Sequence, residues 1–169
     1  MLMAMKSQIE AGRALTYEAA MALDAAHPAN GSSSEIAQAK VDLLTPLTKA
    51  WCTDMAVEVT SLGVQIHGGM GFVEETGAAQ YFRDSRILPI YEGTNGIQAL
   101  DLIFRKTLRD GGAATKAYIE QLKSDVIDMD EYFESLEGAT DALLKAGADK
   151  NLDLAQAMAT PYLKGFAII

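Results

Sequence analysis

The chain has 169 residues, 49% of them hydrophobic, with a formal net charge of −9 and a pI near 4.6. That is enough apolar material to bury a core, and the length suits one domain, with room for an appendage. The acidic balance argues against nucleic acid or an anionic membrane as a steady partner, because both recruit clustered Lys and Arg. The single cysteine, Cys52, has no partner for an intrachain disulfide and falls on a helical pattern as a small buried thiol. The chain therefore reads as intracellular, and we expect a cytoplasmic protein. No run approaches the roughly 20 apolar residues that cross a bilayer, and Lys6, Glu10 and Arg13 interrupt any signal-peptide core near the start.

Residues 2–26 place Leu2, Met5, Ile9, Leu15, Ala19 and Leu23 mostly three and four apart without a proline, which predicts a long amphipathic helix. Pro28 and the Asn30-Gly31 pair then stop it, with His27 as a solvated last residue. Ser32, Ser33 and Ser34 offer caps for the next helix, the longest, whose face carries Ile36, Ala39, Leu43, Leu47, Trp51, Met55, Val59, Leu62 and Ile66. Pro46 lies inside this pattern and predicts a kink or break near Asp42. Two long helices joined by a short loop should pack antiparallel.

Gly68, Gly69 and Gly71 end that helix as a C-cap, and they let the backbone come close to another chain or to a ligand. The stretch lacks the context of a dinucleotide fingerprint and the Lys-Ser/Thr of a P-loop. Residues 76–86 read as a short helix with Thr76 as a possible cap and Ala78, Ala79, Phe82 and Ser85 turned inward, and Pro89 stops it. Thr94 or Asn95 caps the next helix, which runs through Ile97, Leu100, Ile103 and Leu108 to Gly111-Gly112, the best internal boundary. Beyond it, residues 117–136 and 140–148 have helical spacing, and a last helix starts near Asn151-Leu152. The acidic residues of this part read as a solvated helix face, not a metal site. Nothing shows sustained period-two alternation, so the expected fold is all-α. The division is residues 1–112 as a bundle and 113–169 as an additional helical segment. The open apolar end at residues 163–169 and the uncapped start lead us to expect a piece of a longer protein.

The organising stretch is residues 83–98, where Glu92 sits between the apolar run Ile87, Leu88, Pro89, Ile90, Tyr91 and the turn Gly93-Thr94-Asn95-Gly96. Apolar neighbours can desolvate such a carboxylate while its backbone stays free to donate, two requirements of a general base acting on an acidic C–H. Glu92 is the candidate catalytic residue.

Together, Gln65-Ile66-His67-Gly68-Gly69-Met70-Gly71-Phe72, Arg83-Asp84 and Ile90-Tyr91-Glu92-Gly93-Thr94-Asn95-Gly96-Ile97-Gln98 resemble the C-terminal helical domain of acyl-CoA dehydrogenases. The resemblance covers residues 3–109, and the extra helices after Gly112 are similar to the long-tailed branch that includes 3-methylmercaptopropionyl-CoA dehydrogenases. It implies an up-and-down four-helix bundle with additional C-terminal helices, in a flavoenzyme of three domains assembled as a homo-oligomer, a dimer or tetramer. It further implies that Glu92 removes the α-proton of an acyl-CoA thioester while the β-hydrogen goes to FAD as hydride, and that electrons pass on to an electron-transfer flavoprotein. The thioester oxygen would meet the Glu92 main-chain N–H. Gln65 and Gly69 fall where the family contacts a neighbouring subunit's FAD, and Thr94, Asn95 and Gly96 where it meets its own. Gly93 would let substrate and flavin approach the backbone, whereas Arg83, Asp84 and Arg86 are expected in structural ion pairs. The middle β domain and the arginine-phenylalanine flavin stretch expected before the first helix are missing, so the chain by itself is expected to bind FAD weakly or not at all and to be inactive. The competing readings are a non-catalytic helical oligomerisation or scaffold module and an acyl-CoA oxidase-like enzyme.

Overall fold

The computed structural model describes residues 1–27 and 35–169, and all regular structure among them is helical. The turn expected at Pro28, Asn30 and Gly31 and the caps at Ser32, Ser33 and Ser34 lie outside the described residues. Helix α1 is Leu2–Ala26 and α2 is Glu35–Ile66, each where the apolar spacing predicts it. The two run antiparallel: Gln8 Nε2 donates to Glu58 Oε2 at 3.3 Å, the Cys52 thiol donates to the Gly12 carbonyl at 3.7 Å, and Lys40 pairs with Glu18. Gly12 lies in this seam, where a Cβ would meet the flexible end of Met55 at 2.8 Å and make ordinary contacts with Trp51 and Cys52. Burial in this seam pushes the Cys52 thiol above its ordinary range.

Helix α2 is continuous through Pro46, so the predicted break does not occur. Pro46 is buried between Leu43, Leu44 and Leu47, and packing on both sides holds the turn that its missing N–H cannot. The apolar face is buried only in its middle. Ile36 is 83% exposed and Ile66 39% exposed, so the two ends of the periodic face lie outside the core.

After α2 the chain reverses at Gly68 (φ 61°) into the single turn α3, Gly69–Phe72, so a new helix follows where a simple C-cap was expected. A Cβ on Gly71 would lie inside the van der Waals shell of the Val64 carbonyl oxygen, so only glycine lets this turn fold back onto α2. A 3-10 turn at Glu74–Thr76 leads to Gly77 (φ 79°) and then to α4, Ala78–Ser85. Gly77, not Thr76, occupies the N-cap position. The Thr76 hydroxyl instead donates backwards to the Met70 carbonyl at 2.6 Å. Arg83 forms the expected ion pair, bidentate to Glu74 at 2.7 and 2.8 Å.

Helix α5, Asn95–Leu100, continues into a π-helical segment, Asp101–Thr107, in which the Leu108 N–H reaches the Ile103 carbonyl at 2.8 Å. The segment runs back along α2, since Asn95 meets Ala50 and Lys106 meets Asp42. Helix α6 is Ala113–Asp125 and α7 is Asp130–Ala148, with the break at Asp128 (φ 64°) rather than after Leu136 as the spacing predicts. Gly138 sits inside α7 without interrupting it, because a glycine costs a packed helix only about 1 kcal/mol. Asn151 caps α8, Leu152–Ile168, by accepting from the Leu154 N–H at 3.2 Å.

Residues on both sides of Gly112 share one apolar core: Leu43, Leu47 and Ile103 from the first part, with Ile119, Phe133 and Phe166 from the second. Three threonines at zero exposure, Thr107, Thr115 and Thr140, are satisfied inside it. Thr115 donates to Thr107 at 3.2 Å and Thr140 lies 2.9 Å from the Tyr162 hydroxyl, as buried polar groups require. No helix of the described residues is long and apolar enough to cross a membrane.

Candidate functional site

Three turn hydrogen bonds carry the chain from the end of α4 to Tyr91: Leu88 N–H to Ser85, then Ile90 and Tyr91 N–H to Ile87. The Asn95 N–H closes the loop on the Pro89 carbonyl at 3.1 Å. Between them lie Glu92 (φ 56°) and Gly93 (φ 81°), two consecutive left-handed residues. For a glutamate that conformation costs about 1–2 kcal/mol, and it persists only where the surroundings fix it.

The fixing is visible. The Glu92 carbonyl accepts from Gln98 Nε2 at 3.0 Å, and the Gly93 carbonyl accepts from Lys49 Nζ at 2.7 Å. Thr94 caps α5 by accepting from the Ile97 N–H at 3.3 Å, which decides between the two capping candidates. Asn95 turns its side chain the other way, into α2. Its Oδ1 accepts from Lys49 at 2.8 Å, and the two protons of its Nδ2 are shared among three acceptors, Asp54 Oδ1 at 2.7 Å, Thr53 Oγ1 at 2.9 Å and the Ala50 carbonyl at 3.0 Å. Since lysine only donates and aspartate only accepts, the orientation of the amide is settled by its partners. Asp54 is also paired with Lys164 of α8 at 3.4 Å.

Burial pulls the Lys49 ammonium below the ordinary lysine range, while Glu92 and then Asp54 push it back up. Glu92 itself is exposed, as are Gly93, Thr94 and Gly96. Its apolar neighbours Ile87, Ile90, Tyr91 and Ile97 are 46 to 55% exposed, so within this chain they do not desolvate it, which corrects the expectation from the sequence. No described residue accepts a hydrogen bond from the Glu92 N–H.

Gln65 and Gly69 are exposed at the far end of α2. Sixteen residues of helix separate Gln65 from Lys49 in sequence, a rise of about 24 Å. The chain thus brings Glu92, Gly93, Thr94, Asn95 and Gly96 together and leaves Gln65 and Gly69 apart from them. Sequence reading missed Lys49, Thr53, Asp54 and Gln98. The signal available for the first three was a polar stripe, Lys49-x3-Thr53-Asp54, on an otherwise apolar helix face. Among the described residues no group of three or more His, Cys, Asp or Glu is placed to hold a metal ion.

The family model described as "Acyl-CoA dehydrogenase, C-terminal domain" matches residues 1–107. A 3-methylmercaptopropionyl-CoA dehydrogenase of Ruegeria pomeroyi is 53% identical over 122 residues, 72% of this chain and 21% of that protein, so the chain spans about a fifth of that relative's length. A solved structure of Caenorhabditis elegans ACDH-11, in complex with C11-CoA, superposes with a TM-score of 0.67 at 27% identity over 93% of this chain and 29% of the other. A second, described as "Bd2924 apo-form", reaches 0.79 at 23% identity over 99% of this chain and 31% of the other, a likeness of fold that takes in α6 to α8. The chain belongs to the acyl-CoA dehydrogenase family, with residues 1–107 forming its C-terminal domain.

Proposed function

We propose that this chain is the C-terminal part of a flavoenzyme that α,β-dehydrogenates acyl-CoA thioesters, with Glu92 as the base. The observation that carries the reading is the Glu92 turn: a strained, doubly left-handed junction held from two sides, whose carboxylate and N–H both remain available. The carboxylate takes the α-proton, and the two electrons of that C–H bond become the new α,β double bond as the β-hydrogen departs with its own electron pair. FAD, when bound, supplies the acceptor for that hydride. The Glu92 N–H faces the thioester oxygen and stabilises the charge that develops there.

A free glutamate, with a pKa of about 4.3, is too weak a base for this proton unless water is excluded. The exposed apolar rim of Ile87, Ile90, Tyr91 and Ile97 is the surface on which substrate and the remainder of the enzyme would close to exclude it. Gly93, Thr94 and Gly96 are exposed, which fits a flavin lying against this turn. Asn95 fits only through its main chain, because its amide is committed to α2. Contact of Gln65 and Gly69 with a second FAD across a dimer or tetramer interface is supported by the family resemblance, and their exposure away from the Glu92 turn is in keeping with it. The family resemblance supports an electron-transfer flavoprotein as the acceptor and little flavin binding by this chain alone.

The test is anaerobic titration of the full-length enzyme with a panel of acyl-CoAs that includes 3-methylmercaptopropionyl-CoA, following the flavin absorbance. One of them should bleach the band, and Glu92→Gln should retain flavin while losing bleaching by about 10³-fold or more. Bleaching by Glu92→Gln at the normal rate would remove Glu92 from the chemistry. Absence of flavin in the full-length protein would remove the enzyme reading altogether.

A further inference from the structure

Glu92 and Gly93 leave their carbonyls pointing away from any helix or sheet ladder, and each carbonyl is taken by one long polar side chain. Gln98 belongs to the helix that the turn itself opens and moves with it. Lys49 belongs to α2, whose neighbouring Leu47 and Ala50 are 1% and 2% exposed, and it is the contact that ties the turn to the fixed frame of the molecule. Its ammonium also holds Asn95 Oδ1, so a single cation spans the last left-handed residue of the turn and the first residue of α5.

We propose that Lys49 is a positioning residue for the dehydrogenation: by bridging the Gly93 carbonyl and Asn95 Oδ1 it holds the Glu92 carboxylate and N–H in the orientation the reaction needs. This rests on the reading of Glu92 as the base. Lys49 touches no reacting atom; its donors face protein oxygens. Without the ammonium, the Gly93 carbonyl and Asn95 Oδ1 each lose a charge-assisted partner, and the glutamate is free to relax toward a negative φ. Burial pulls the Lys49 ammonium below its ordinary range, and the Glu92 and Asp54 carboxylates oppose that pull in part. The neutral amide Gln98 contributes no such charge.

The experiment uses the full-length flavoenzyme with Lys49→Met and Lys49→Arg. In Lys49→Met, hydrogen exchange of a peptide spanning residues 88–98 should quicken by about tenfold while α1 stays as protected as before. Flavin bleaching at saturating acyl-CoA should fall about 10- to 100-fold, with the half-saturating concentration changed by less than threefold. Lys49→Arg, which keeps charge and donors, should recover most of both. Unchanged exchange over residues 88–98, or bleaching within twofold of the parent, overturns the proposal. So does a loss that appears wholly in the half-saturating concentration. If Lys49→Met fails to retain flavin, Lys49→Gln, a neutral donor of shorter reach, is judged by the same criteria. Glu92→Gln on the same preparation separates the two ideas. If it bleaches normally while Lys49→Met loosens residues 88–98, the base assignment has failed and the tie between α2 and the turn has not.

Discussion

Asn95 is spent entirely on structure, although it stands inside the motif proposed to carry the chemistry. Its two amide protons are shared among the Ala50 carbonyl, Thr53 Oγ1 and Asp54, and its oxygen accepts from Lys49. Truncating it takes one partner each from the Asp54 carboxylate and the Lys49 ammonium in a partly buried seam, leaving them Lys164 and the Gly93 carbonyl. We therefore expect Asn95→Ala to destabilise the chain by about 2–3 kcal/mol, as an unmatched charge-assisted network does, read as a lowered urea midpoint at unchanged slope. A cap lost at the helix surface would cost only about 1 kcal/mol, so the size of the effect separates the two roles of this asparagine. The residue is legible in the sequence and its direction is not, because Thr94 and Asn95 are equally good caps on paper. The deciding partners stand 41 to 46 positions upstream, which spacing within the motif does not reveal.

At the scale of elements, apolar periodicity placed α1 and α2 well because each has many turns over which the period repeats. It failed where packing overrode a local breaker, at Pro46 and at Gly138, and where one residue in a left-handed conformation, Asp128, ended α6 early. The glycines after α2 were legible as a place of close approach. That this approach is to α2 itself was not, since three glycines say that something comes near and not what. The contact is steric and one-sided. Gly71→Ala must lever α3 off the Val64 carbonyl, and we expect a loss of about 1–3 kcal/mol, while Gly69→Ala, whose Cβ would meet no atom within 4 Å, should change stability little. Paired denaturation curves of the two variants check it. Equal effects would mean that α3 is loose enough to move aside.

For the molecule as a whole, the buried tyrosines make alkaline stability a readout of the shared core. Tyr118 and Tyr162 are 8% and 4% exposed and pack on Phe166 from two sides, with ring centroids 6.1 and 5.9 Å away. Burial raises both phenols above their ordinary range, more than the Thr140 and Thr107 hydrogen bonds lower Tyr162. Above pH ~10 the unfolded chain gives up protons that the folded chain keeps, so stability is flat below that pH and falls as pH rises beyond it. Tyr118→Phe, which keeps the ring and removes the proton, should flatten the fall, measured as the urea midpoint between pH 8 and 11. An unchanged slope would mean that Tyr118 contributes nothing to it and that Tyr162 alone carries the effect of burial. The same core joins α6, α7 and α8 to the bundle. This joining is hidden in the chain, because the boundary at Gly111-Gly112 is a strong punctuation mark in sequence and a weak one in space.

The π-helical turns at Asp101–Thr107 can be seen as a matter of phase. A helix that takes up one residue beyond its α-helical count delivers everything after it rotated by about 100°, the angle of a single residue step. At the end of that segment Thr107 meets Thr115, and past it α8 returns with Lys164 facing Asp54. Deleting one residue there should shift the bearing of the last three helices relative to α2 and cost the pairing of Lys164 with Asp54. The helix that the Glu92 turn opens and the last three helices are thus set to each other by a count of residues, much as two gears are set by a tooth.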